Sequence, residues 1–387
     1  MKKYLLPLFA FIFATNSFAQ FSGKTGDLDW EISLYRRVLT ISGKGTIPTS
    51  TNAPWSPYRT IIEGIVISEG ITSIENYAFN YYTNIKFVTI PSSTKTMGWY
   101  AFSGCTNLES VTIQHGLTNI GFSAFQFCTN LTSINIPESV ERIENYAFEH
   151  SGLVDFTIPK SVSYIGDRIL GSCNQLVNIN VDTMNDFYCS IDGILYNKNK
   201  SKLIQYPSGK DSSDFTIPNN VEIVENYAFS NNKHLTHIYI PTSVRDVGNG
   251  SFSGTKLQEI KVKWSEPLKL PYNTFFAFNT SSCKLLVPKG TSEAYKTADV
   301  WKDFIIEEYT NETAIKQINS ESSNFNVYGF ENSITINSTI NSNAKIYSID
   351  GKLIKMQPIK GGINSIPIEK GIYFVVIDSN SYKVLVK

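Results

Sequence analysis

One pair of residues recurs along this chain at a fixed interval. Ala78-Phe79, Ala101-Phe102, Ala124-Phe125 and Ala147-Phe148 stand 23 residues apart. Ile169-Leu170 takes the place of the pair 22 residues later, Ala228-Phe229 follows after an insertion, and Ser251-Phe252 comes 23 residues beyond that. Around each pair runs the same apolar pattern, seen most fully in Leu131, Ile134, Ile136, Pro137, Val140, Ile143 and Ala147-Phe148. A unit this short cannot bury its apolar face alone. It must stack on its neighbours, and the stacked units then share one continuous core. The period therefore restricts the chain to a solenoid or a comparable array.

Within a unit, the alternation Ile134-x-Ile136 is that of a strand with inward side chains two apart. Pro137 ends it, because proline cannot donate to a ladder. Val140-x-x-Ile143 marks a second, shorter extended piece. What remains before Ala147-Phe148 is too short for a full helix and reads as a tight turn or a single helical turn, with Ala where backbones pack closely and Phe in the core. The expected fold class is a repeat solenoid, mainly β, followed by a small all-β sandwich. The pattern resembles the BspA-like subfamily of leucine-rich repeats over residues 28–308. That resemblance implies a curved solenoid whose strands line one concave face.

The flanking segments have their own signatures. Residues 1–19 read as a secretory signal: Lys2 and Lys3, an apolar run from Tyr4 to Ala14, then Ser17-Phe18-Ala19, with cleavage between Ala19 and Gln20. The apolar run is too short to span a membrane, and no other stretch reads as transmembrane. Residues 20–63 read as a cap, needed because an open first rung exposes its edge and core. Leu28-Asp29-Trp30, Val38-Leu39-Thr40-Ile41-Ser42-Gly43 and Ala53-Pro54-Trp55 with Tyr58-Arg59 resemble the entry segment of BspA-like domains. The repeats are expected over 64–308. An insertion at about 182–214 reads as a hairpin, with Ile191 to Tyr196 and Lys202 to Pro207 flanking Asn197 to Ser201. Lys198, Lys200, Lys202 and Lys210 make it basic. A closing cap is expected at about 283–308, with a helix over Ser292 to Phe304 whose Tyr295, Trp301 and Phe304 cover the last rung.

Residues 309–323 are polar and read as a linker. Beyond them, at 324–387, the 23-residue period gives way to short alternating strands, with Asp350-Gly351 as a tight-turn pair. Ile346 to Ile354, Gly371-Ile372-Tyr373-Phe374 and the terminal Lys383-Val384-Leu385-Val386-Lys387 resemble the C-terminal sorting domain of type IX secretion substrates of Bacteroidetes-type bacteria. The frequent P-N-P motif is replaced by Asn326-Val327-Tyr328-Gly329-Phe330. The resemblance implies the type IX secretion machinery as a partner, and display at the outer-membrane surface or release. Asp182-Thr183-Met184 resembles the short O-glycosylation motif of the same bacteria.

Charge and chemistry exclude several function classes. The chain has 34 basic and 34 acidic residues. Without Lys2 and Lys3 the count is 32 against 34, which gives no clustered basic face for nucleic acid. Five cysteines form no C-x-x-C and no disulfide framework. Cys105, Cys128 and Cys173 share one repeat position, three residues after the Phe or Leu, and read as stacked buried thiols. Cys189 and Cys283 lie outside that row. His234-x-x-His237 lacks the Glu of a zinc-helix motif, and His115 and His150 stand apart. Gly121-Phe122-Ser123 begins like a nucleophile elbow, but Phe125 of the repeat fills the place of the final glycine. No catalytic residue, cofactor or metal site is expected.

What the repeats leave free is a surface. The outward positions of the strands should stack into two rows. One runs Thr89, Thr112, Asn135, Thr157, Asn180, Thr216, Tyr239, Lys261, the other Phe87, Ser110, Ser133, Asp155, Asn178, Asp214, His237, Glu259. A possible binding face follows, with Phe87, Thr89, Thr112, Asn135, Thr157, His237 and Tyr239 at its centre, although threonine is also simply a good exposed strand residue. The expected function is a secreted, surface-displayed, adhesin-like binding protein for host or bacterial proteins. The alternative is a carbohydrate-binding accessory protein that uses Phe87 and Tyr239.

Overall fold

A computed structural model describes residues 20–309, 325–330, 332–378 and 380–386. The expected signal at 1–19 and most of the expected linker at 309–323 lie outside them. The chain divides into two compact units, 1–309 and 310–387.

The first unit is a mainly β solenoid. Each turn contributes one strand of about four residues and, in most turns, a second of about two, and each kind pairs in parallel with its equivalent in the next turn. The first sheet runs from Val38–Gly43 through Gly64–Ile67 and Phe87–Ile90 to Ser110–Ile113. It resumes with Asp155–Ile158 and Asn178–Val181, and again from Asp214–Thr216 through His237–Ile240, Glu259–Val262 and Lys284–Pro288 to Ile305–Tyr309. Residues 133–136, expected as a strand, make no ladder bonds. After each break the inward position held elsewhere by Val88, Val111 or Ile238 is an aromatic, Phe156 or Phe215. Phe156 packs against Phe148 (5.1 Å) and Phe215 against Tyr206 and Phe229 (5.0 and 5.8 Å). At the second break the insertion lies alongside Asn178–Val181, and the amide of Ile179 donates to the carbonyl of Gly193 at 2.8 Å.

The Phe positions form a stacked spine. Ring centres are 5.2 Å apart from Phe79 to Phe102, and 5.5 Å from Phe102 to Phe125 and from Phe125 to Phe148. Leu170 interrupts it. The spine resumes at Tyr206 and continues through Phe229 and Phe252 to Phe275, with spacings of 5.3, 5.2 and 5.4 Å. Tyr206 and Phe275 thus extend the series beyond the pairs legible as Ala-Phe. Beside the spine, the thiols of Cys105, Cys128 and Cys173 donate to the carbonyls of Phe79, Phe102 and Phe148 at 3.3, 3.3 and 3.2 Å. All five cysteines are free.

The turn before each Phe is neither helix nor strand because its amides bond to the next turn. Tyr77, Phe79 and Tyr81 donate to the carbonyls of Trp99, Ala101 and Ser103, each at 2.8 Å. This needs two left-handed residues four apart, as at Tyr77 and Tyr81 (φ 59° and 57°) or Tyr146 and His150 (61° and 59°). Side chains other than glycine resist that region, so the stack must hold them there.

The ends are closed by different means. Gln20–Thr25, Leu28–Ser33 and Val38–Gly43 form an antiparallel meander, with Trp55 fully buried and Phe21 stacked on Tyr58 at 4.2 Å. At the other end the helix is shorter than expected, Ser292–Thr297 only, and Ala298 is already extended (ψ 133°). Turns then carry Trp301 and Phe304 back onto Phe275, at 6.0 and 5.0 Å, which a straight helix through 304 would not do. Trp301 Nε1 donates to the carbonyl of Leu268 at 2.8 Å and Tyr295 Oη to that of Trp264 at 2.9 Å.

The insertion is a three-stranded meander, Tyr188–Ile191, Ile194–Asn197 and Lys202–Gln205. Asp192 and Gly193 (φ 51° and 75°) make the first turn, the geometry of a type I′ hairpin, and residues 198–201 make the expected second. Three of its four lysines are tied down: Lys198 and Lys210 donate to the carbonyls of Asn185 and Asp192, and Lys202 pairs with Glu225 at 3.0 Å.

The second unit has two antiparallel sheets around one core. Phe325–Phe330, Ser333–Ser338 and Gly362–Pro367 form one. Leu353–Ile359, Ser342–Ser348, Gly371–Ile377 and Asn380–Val386 form the other. Ile334, Ile336, Ile346, Val375 and Ile377 fill the space between them. Gly351 turns the chain at φ 82°, where Asp350-Gly351 was expected to.

Candidate binding face

The two outward rows exist in register, in segments set by the ladder breaks. Thr89 faces Thr112 and Phe87 faces Ser110. Thr157 faces Asn180, and Asp155 faces Asn178, whose Nδ2 donates to Asp155 Oδ1 at 3.0 Å. Thr216, Tyr239 and Lys261 form one line, and Asp214, His237 and Glu259 the other. Asn135 is exposed but stands on the stretch without ladder bonds, so it does not share the fixed spacing of the others. Thr112 and Thr157 are exposed, and Thr89, His237 and Tyr239 are half-buried.

Phe87 is less available than its position suggests. Its ring lies over Gly64 on the neighbouring strand, where a Cβ would meet ring carbon Cζ at 2.2 Å, and it is 36% exposed. Beside it, Glu63 holds both Arg37 and Lys86. These two cations, Lys86 first, hold its carboxyl below the ordinary range.

The C-terminal end of the face is richer. Lys261 Nζ lies 4.2 Å from the centre of the Tyr309 ring and 6.0 Å from that of Tyr239, and Lys263 Nζ lies 5.4 Å from Tyr239. Tyr309 donates to the carbonyl of Val262 at 2.9 Å, and burial, with Tyr239 nearby, pushes its hydroxyl up. His237 Nδ1 is 3.4 Å from Asp214 and 2.9 Å from Thr236 Oγ1. Lys284 pairs with Glu307 at 3.1 Å one strand further on. Lys263, Lys284, Glu307 and Tyr309 lie outside the expected face, although the row through Tyr239 and Lys261 continues through Leu286 to Glu307. His234 and His237 each have their own carboxylate, Asp211 and Asp214. Among the described residues no group of three His, Cys, Asp or Glu side chains is placed to hold a metal ion, and no helix is long and apolar enough to cross a membrane.

Six copies of the family described as the BspA-type leucine-rich repeat region match residues 58–177 and 208–337. The chain belongs to that family. Among solved structures, this BspA-type chain is similar to a leucine-rich repeat protein from Eubacterium ventriosum, at 25% identity and TM-score 0.59, over 79% of this chain and 99% of that one. It is also similar in fold to a leucine-rich cell surface protein from Faecalibacterium prausnitzii, at 22% identity and TM-score 0.50, over 76% of this chain and 96% of that one. No curated protein matches the BspA-type chain.

Proposed function

We propose that this is a secreted, cell-surface-displayed, adhesin-like protein that performs no catalysis and recognises a protein on a host or bacterial surface. The observation that carries the reading is the fixed cluster of His237, Tyr239, Lys261 and Tyr309 on a parallel ladder. Tyrosine and a basic side chain held by their neighbours bind at small entropic cost, and such residues dominate protein interfaces. The binding face centres there, with Phe87, Thr89, Thr112 and Thr157 as a polar extension. Membership of the repeat family supports a binding role, and the signal at 1–19 and the sorting-domain resemblance at 324–387 support export and display.

The test is capture by the immobilised full chain from host matrix proteins, host cell extract and purified glycans. A saturable protein partner, weakened about tenfold or more by Tyr239→Ala or Lys261→Ala, is expected. Capture untouched by both changes would move the site off this face. Glycan-only capture lost in Tyr239→Ala would replace the reading with a carbohydrate-binding one. For export, deleting 324–387 is expected to leave the protein inside the cell envelope.

A further inference from the structure

The turn that carries the insertion is short at its outer corner. In regular turns five residues separate the second strand from the spine ring, as from Ile143 to Phe148 or Val224 to Phe229. Leu203, which pairs with Val224, reaches Tyr206 in three. The corner pair equivalent to Asn145-Tyr146 is missing. The corners on either side therefore meet across the gap: Asn226 Nδ2 donates to Asp167 Oδ2 at 3.2 Å, and Asn231 Nδ2 to Ser172 Oγ at 2.8 Å. Beneath them lies a notch of about 350 Å³, with the insertion as its side wall.

We propose that this notch is a binding site for a neutral sugar of one or two rings. Three observations converge on that chemistry. The first is an amide without a protein partner. Gln205 is 6% exposed and lines the notch, and its side chain makes no hydrogen bond among the described residues. A ligand hydroxyl would supply it with both a donor and an acceptor. The second is charge balance. The wall contains Asp167 and Glu225 against Arg168 and Lys202, with Lys202 already paired to Glu225 and Arg168 to Glu149. An anionic ligand would have to break one of these pairs, whereas a polyol needs only the free lone pairs and protons that these groups keep. The third is a ring at the rim. Phe187 is 51% exposed on the insertion and lines the notch, and an aromatic ring there can stack on the C–H surface of a pyranose.

The walls are also fixed before any ligand arrives. Tyr188 accepts from the amide of Ile165 at 3.0 Å, and the Arg168 guanidinium lies between the rings of Tyr146 and Tyr227, at 5.7 and 4.4 Å. A cavity of this volume, with its walls held in place, is at the lower end of what small-ligand sites use. It stands apart from the strand rows and does not depend on the adhesin reading.

The experiment is calorimetric titration of the full chain with hexoses, N-acetylhexosamines and neutral disaccharides, with a hexuronic acid as the charged control. At least one neutral sugar is expected to bind saturably. Phe187→Ala and Gln205→Leu should each weaken it roughly tenfold, while Tyr239→Ala leaves it unchanged. Phe187 is exposed, so its variant should melt with the parent and keeps the test sound if Gln205→Leu misfolds. No neutral sugar binding, binding by the hexuronic acid alone, or binding insensitive to Phe187→Ala would each overturn the proposal. Loss of sugar binding with protein capture intact would implicate the notch alone, and the reverse would implicate only the strand face.

Discussion

The guanidinium carbon of Arg168 lies 4.4 Å from the centre of the Tyr227 ring, although the whole insertion separates them in sequence. The same guanidinium pairs with Glu149, which is 6% exposed. Arg168→Ala would leave that carboxylate buried without its partner, at a cost of about 3 kcal/mol. Arg168→Lys should restore only part of this, because an ammonium cannot stack as a planar group. Urea unfolding followed by circular dichroism measures both. An alanine variant as stable as the parent would mean that this contact does not join the turns on either side.

The spine sets the next expectation. Phe125 is fully buried between Phe102 and Phe148, 5.5 Å from each. Phe125→Ala should cost about 3–5 kcal/mol, whereas Phe122→Ala, at the outer corner, should cost much less. Thermal melts of the two variants side by side decide it.

Two glycines should respond in opposite ways to the same change. A Cβ at Gly64 meets only the far end of the Phe87 ring, which can swing into solvent. A Cβ at Gly116 meets the carbonyl oxygen of Ser92 at 1.9 Å, and the backbone cannot move without its neighbours. Gly64→Ala is therefore expected to cost under about 1 kcal/mol and Gly116→Ala about 1–3 kcal/mol. Denaturant midpoints measured at equal m-value test the ordering.

The thiols predict an alkaline limit. Burial pushes Cys173 and Cys283 up to about 12 and raises Cys105 and Cys128 as well. In the unfolded chain a thiol titrates near pH 8.5. Below that value both states keep their protons and the contribution is complete. Above it the unfolded chain ionises first, so stability falls by up to about 1.4 kcal/mol per pH unit for each thiol until the folded values are reached. Stability should be level near neutrality and decline between about pH 9 and 11. Unfolding free energies over that range, with and without Cys173→Ala, should show a shallower slope in the variant.

Much of this was legible because the repeat carries it. The 23-residue beat located the spine, the buried thiols and the paired outward rows, since all three depend only on spacing. It failed where a residue did the same work in different dress. Tyr206 stands 23 residues before Phe229 and Thr274-Phe275 stands 23 after Ser251-Phe252, but neither is Ala-Phe. Residues 133–136 carry the same alternation as their neighbours yet make no ladder bonds, a property of the stack that a pattern within one turn cannot express. The helix expected through Phe304 ended at Thr297 because Trp301 and Phe304 gain more by folding back over Phe275. The notch depends on two residues missing from a corner, and a deletion inside an insertion leaves little trace in the period.

The turn holding the insertion belongs to both neighbours at once. Between turns, its first strand pairs only backward, Asn178–Val181 with Asp155–Ile158, and its second, Lys202–Gln205, only forward, with Ile223–Val224. No ladder, first or second, crosses this turn whole. Under tension applied between its ends, a stack of this kind gives way first where the fewest backbone bonds bear the load. A molecule tethered at one end and gripped at the other would then lengthen by parting at the middle, with the blocks on either side intact and able to close again when the pull is released.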